Sequence, residues 1–180
     1  MKDKIITLFL LMLITASCDE KTFQFDDIIQ ECYETKYQAE GYDIKSIIDN
    51  HEKLLIEQGV LKDGSGESYL EVFKKIAMDK DFYIESPAFQ DYDPKYKVNK
   101  ETLVALFECE RKMIELAKEK DFKWNKLFNT FESPEVKENP SEVYEVMVKN
   151  LTDNDLNSYY FKLKMFTLFD MVNSKWVSGQ

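Results

Sequence analysis

Few residues in this chain can do chemistry, and their scarcity is informative. Among 180 residues there is one histidine, His51, one arginine, Arg111, and three cysteines, Cys18, Cys32 and Cys109. A nucleophilic triad would have to use His51. His51-Glu52 has no second histidine four residues on, so the zinc-protease helix is absent, and cysteines without paired spacing make no zinc knuckle. No glycine-rich phosphate loop occurs. Asp153-Asn154-Asp155-Leu156-Asn157 begins like a calcium loop, yet Ser158 replaces the sixth-position glycine and Lys164 stands where the bidentate glutamate belongs. Asp63 to Glu67 fails the same comparison at Lys74. Helix N-capping by Asp153 or Asp155 is the simpler reading, and no metal or cofactor is expected.

Two polar residues interrupt apolar stripes. His51 lies three or four residues from Ile47, Ile48, Leu54 and Leu55, and Glu110 lies likewise among Leu106, Phe107, Met113 and Ile114. Helical spacing points both inward. An unpaired buried imidazole or carboxylate is costly, so each requires a partner, and each is a candidate for the other. Paired in a cleft, His51 and Glu110 would supply an acid and a base; a satisfied core pair is the commoner outcome. Asp170, aligned with Leu163 and Phe166, reads as a buried salt bridge or a capping contact. Tyr83, Phe89, Tyr92 and Tyr96, set between and beside Pro87 and Pro94, form the one aromatic group outside helical stripes. They are candidates for contact with a peptide or a carbohydrate.

The N-terminus carries a different kind of chemistry. Lys2 and Lys4 precede an apolar run from Ile5 to Ile14, followed by the small residues Thr15-Ala16-Ser17. That is the layout of a secretory signal peptide, too short to span a bilayer. Cys18 follows directly, and residues 1–21 resemble a bacterial lipoprotein signal, with Thr15 standing where an aliphatic residue is usual. The resemblance implies cleavage before Cys18 and acylation of its thiol and freed amine. At about 0.8 kcal/mol per buried methylene, several chains make a durable anchor. The alternative is ordinary cleavage near Ala16 or Ser17, leaving Cys18 a plain thiol. Asp19 and Glu20 resemble lipoprotein sorting signals of two opposite kinds, for surface export and for inner-membrane retention; the outer membrane is the expected address.

Export leaves Cys32 and Cys109 as an even pair in an oxidising compartment, where a disulfide between them is open but not deducible from spacing. Loss of residues 1–17 removes two lysines and one aspartate, taking the net charge from −10 to −11. Such a surface disfavours nucleic acid and anionic lipid as partners.

The elements that must position these residues read as helices. Five glycines and four prolines fall between periodic segments. Helices are predicted from about Asp26 to Ala39, from an Asp43 cap to Gly59, from the Gly64-Ser65-Gly66 turn to about Lys80, and over Lys100 to Lys120. A shorter piece carries Trp124, Leu127, Phe128 and Phe131, and Pro140 can open another carrying Val143, Val146 and Met147. The last helix, Asp155 to Trp176, is apolar around most of its circumference and is expected to be central. Between Asp81 and Asn99 the period breaks, and the aromatic content predicts an ordered loop packed on the helices. The expectation is all-α: residues 1–17 a signal, 18–22 an acylated tether, and 23–180 a single domain of six or seven helices with one ordered loop. Binding or scaffolding in the cell envelope, through an unknown envelope protein or ligand, is the leading functional expectation. A hydrolase or transferase using His51 and Glu110, and a small acidic inhibitor or immunity-type protein, are the alternatives.

Overall fold

The computed structural model describes residues 24–79, 81–119, 142–158 and 161–177, and every regular element among them is helical. Seven α-helices follow in order: α1 Gln24–Ala39, α2 Ile44–Glu57, α3 Gly66–Met78, α4 Lys100–Glu119, α5 Glu142–Asn150, α6 Asp153–Leu156 and α7 Phe161–Val177. Cys18, Pro140 and the stretch holding Trp124 to Phe131 lie outside the described residues.

Local chemistry accounts for the boundaries. Asp43 caps α2 by accepting from the Ser46 amide at 3.2 Å, and Ser65 caps α3 by accepting from the Ser68 amide. Gly41 and Gly59 adopt φ of +82° and +71°, the left-handed conformation that ends α1 and α2 and is nearly free of cost only for glycine. α1 then packs on α2 across the short Gly41 turn.

The predicted last helix is in fact two, α6 and α7. The break falls at Asn157, whose side-chain oxygen accepts from the Gly66 amide at 2.6 Å and so serves the first turn of α3. Approach here is close enough that a Cβ on Gly66 would stand 1.8 Å from the Asp153 carbonyl oxygen. α6 is capped by Thr152, not by Asp153 or Asp155: the Asp155 carboxylate reaches back to the Thr152 amide and hydroxyl, both at 2.7 Å.

The core is aromatic. Tyr69, Phe73, Phe89, Tyr144 and Phe166 are among its largest fully buried members, and Tyr69 stacks on Phe169 with ring centres 6.0 Å apart. α7 contributes Leu163, Met165, Phe166, Phe169 and Val172, which makes it the central helix that its composition predicts. Phe107, expected inside, is half exposed and serves as a shelf for Lys95, whose ammonium lies 4.6 Å from the ring centre. None of the described helices is long and apolar enough to cross a membrane.

Candidate functional site

Among the described residues, polar groups gather at several places in this core, and two of these gatherings are ionic. At the first, α1 and α4 are joined by a disulfide between Cys32 and Cys109, with Cα atoms 6.1 Å apart. One residue along each helix, the Tyr33 hydroxyl donates to Glu110 Oε1 at 2.7 Å. Lys164 of α7 donates to the same oxygen at 2.8 Å, and Lys95 stands 3.9 Å away. Burial works to raise the Glu110 carboxyl, but the Lys164 ammonium, with the Tyr33 hydroxyl and Lys95, outweighs it and holds the carboxyl below its ordinary value. Tyr33 is pushed far up, first by burial and then by the Glu110 charge. Beside it the Tyr37 hydroxyl donates to Asp93 at 3.4 Å.

A second ionic site joins α2, α3 and α7. Glu52 Oε1 accepts from the Tyr69 hydroxyl at 2.8 Å and from Lys162 at 2.6 Å, with both charged side chains nearly covered. Sequence reasoning missed this trio. The available signal was Lys162 itself, a lysine within the otherwise apolar run from Tyr159 to Leu163.

His51 forms the third site, by itself. Its ring is 5% exposed and meets Phe166 at 4.7 Å, Phe89 at 4.9 Å and Tyr92 at 5.8 Å between centres. Nδ1 is buried with no hydrogen-bond partner among the described residues. Burial pushes the imidazole down to about 4, so it is neutral at pH 7. His51 and Glu110, each a candidate partner for the other, do not pair. Helical spacing turns both inward, but Glu110 is drawn to the α1 and α7 partners and His51 to aromatic rings, which leaves no acid and base acting on one another.

Over His51 lies the ordered loop, here called the strap, from Ile84 to Asp93. Its buried Ile84 and Phe89 and a 3₁₀ turn at Phe89–Asp91 seat it on α7. Asp170 of α7 accepts from the Phe89 amide at 2.8 Å and the Gln90 amide at 3.0 Å, the capping contact anticipated for it. Burial raises its carboxyl, and the two amides only partly offset this. A small crevice of about 10 Å³ lies between His51, Ser86, Pro87 and Asp170, at the lower limit of room for one water.

The loop aromatics separate by role. Phe89 is 1% exposed and belongs to the core, which removes it as a contact residue; Tyr83 at 56% and Tyr92 at 47% face outward. Tyr96 ends a second 3₁₀ turn, Pro94–Tyr96, and its side chain lies outside the described residues. Among the described residues no group of three His, Cys, Asp or Glu side chains is placed to hold a metal ion. No protein-family model matches the chain, no curated protein matches it, and no solved structure matches it.

Proposed function

We propose that this chain is a lipid-anchored protein of a bacterial cell envelope, tethered through Cys18, whose helical body binds an envelope component and does no chemistry on it. The observation that carries the reading is the disulfide between Cys32 and Cys109. Disulfides persist in oxidising compartments, so the pairing accords with the export signal read at Met1 to Ser17. A body stapled this way suits exposure outside the cytoplasm. Its contact surface is the outer side of the strap, where Tyr83 and Tyr92 present rigid aromatic area with a polar tip. The separation of His51 from Glu110 weighs against the hydrolytic alternative, since neither residue has the other to activate it.

Metabolic labelling with a clickable fatty acid, followed by membrane fractionation, tests the anchor. The wild type is expected to carry label and sediment with membranes, and Cys18→Ala to lose both. Equal labelling of the two proteins would defeat the anchor reading. For the contact surface, crosslinking in whole cells is expected to yield a defined adduct that Tyr83→Ala with Tyr92→Ala abolishes. An adduct indifferent to both substitutions would move the surface elsewhere.

A further inference from the structure

The strap is held over His51 by hydrogen bonds, including one from the Tyr37 hydroxyl to Asp93, and by ring contacts. Asp170 receives the amides of Phe89 and Gln90, and the Phe89 and Tyr92 rings lie against the imidazole. Beneath it Leu55, Phe166 and Phe169 surround His51, whose Nδ1 has no partner among the described residues, with Ser86 and Asp170 at the edge of the crevice. A neutral imidazole tolerates that cage, but an imidazolium has two N–H groups and a charge, and aromatic edges cannot replace its water. Charging the ring is therefore easier when the cover moves.

We propose that the strap from Ile84 to Asp93 is an acid-released latch: a proton taken from solvent by His51 opens it and uncovers an apolar floor of Leu55, Phe166 and Phe169. The groups around the imidazole fit this assignment. On α2, Glu52 is committed to Tyr69 and Lys162. α7 brings Asp170, engaged with the strap amides, and Tyr69 of α3 reaches Phe166. On the strap, Glu85 is exposed, and Asp91 and Asp93 act on Asp170, whose carboxyl they help to raise. Burial is the one cause of the histidine's shift, which removing the cover would relieve. Caged, the ring titrates at about 4; in water it titrates near 6.5. Acid thus favours the open strap from pH 6.5 downward. Asp170 and Asp93, both raised by burial, gain protons more readily when covered, so their titration favours the closed strap and opposes that of the histidine.

The latch rests on the docking reading for its purpose only, namely changing the surface offered to a partner, and it is tested without one. Hydrogen exchange read by mass spectrometry on the purified native protein, corrected for intrinsic rates, compares strap peptides with peptides of α3 at pH 7.5 and 5.5. Linkage predicts that strap protection falls about tenfold across that interval. The strap should also exchange faster than α3 at both pH values, as a local opening requires. His51→Phe keeps a ring without a titrating proton and is expected to abolish the fall; if it does not fold, His51→Gln takes its place. Strap protection that does not change with pH in the wild type, strap exchange no faster than that of α3, or a tenfold fall persisting in a folded variant would each overturn the latch. Any of these leaves the contact-surface reading standing, and loss of the Tyr83 and Tyr92 adduct result leaves the latch standing.

Discussion

The seam between α1 and α4 and the cage beneath the strap each bury polar chemistry, and they secure it by opposite means. At the seam a disulfide lies one residue from a carboxylate that has a hydroxyl and an ammonium within 2.8 Å. In the cage a histidine lies among aromatic rings and has no partner for Nδ1 among the described residues. A charge can stay buried where opposite charge and donors converge on it. Where none converges, the group gives up its charge and the region becomes responsive to pH.

Breaking the seam should have the largest effect. Cys32→Ser with Cys109→Ser opens a link 77 residues apart in sequence, and urea unfolding is expected to show a loss of about 4 kcal/mol. An equally stable double variant would mean that the seam needs no staple. Next comes the cage. His51 binds its proton more readily in the unfolded chain, near 6.5, than in the fold, at about 4. Stability is therefore full above pH 6.5, lost progressively as pH falls through that window, and flat below it with respect to this group. The shift of roughly 2.5 units corresponds to about 3 kcal/mol. His51→Phe should lack that component, and the pH profiles of the two proteins, followed by circular dichroism during urea unfolding, decide the matter.

Tyr33→Phe sharpens the contrast from the other side. It removes one donor from a carboxylate that keeps Lys164, so a loss of roughly 1.5 to 3 kcal/mol is expected at neutral pH. Because Glu110 is held below its ordinary value, its contribution is present at neutral pH and is lost as pH falls through that lowered value. The smallest effect belongs to Tyr92→Ala, half exposed at the edge of the cage, where thermal unfolding should register less than about 1 kcal/mol. A larger loss would make Tyr92 a structural element of the strap and weaken its case as a contact residue.

Much of the fold is legible in local pattern. Asp43 as a cap, Gly41 and Gly59 as terminators and α4 from Lys100 follow from chemistry within a few residues. The inward turn of His51 and Glu110 is equally legible, since spacing sets a face. Spacing does not say which helix that face meets, so the imagined His51–Glu110 pair dissolved into two separate sites. The break between α6 and α7 was hidden for the same reason: its cause, Gly66 against Asp153 and Asn157, spans 91 residues from Gly66 to Asn157. Phe89 read as a loop aromatic because its burial depends on a strap held by Asp170, 81 residues away.

One digest tests the central claim most directly. Mass spectrometry of protein purified from its native cells, without reduction, reads the N-terminal peptide and the Cys32 and Cys109 peptides together. The account predicts a chain that starts at an acylated Cys18 and a crosslinked Cys32–Cys109 pair. A plain thiol at Cys18, a retained leader, or Cys32 and Cys109 recovered as free thiols would contradict it.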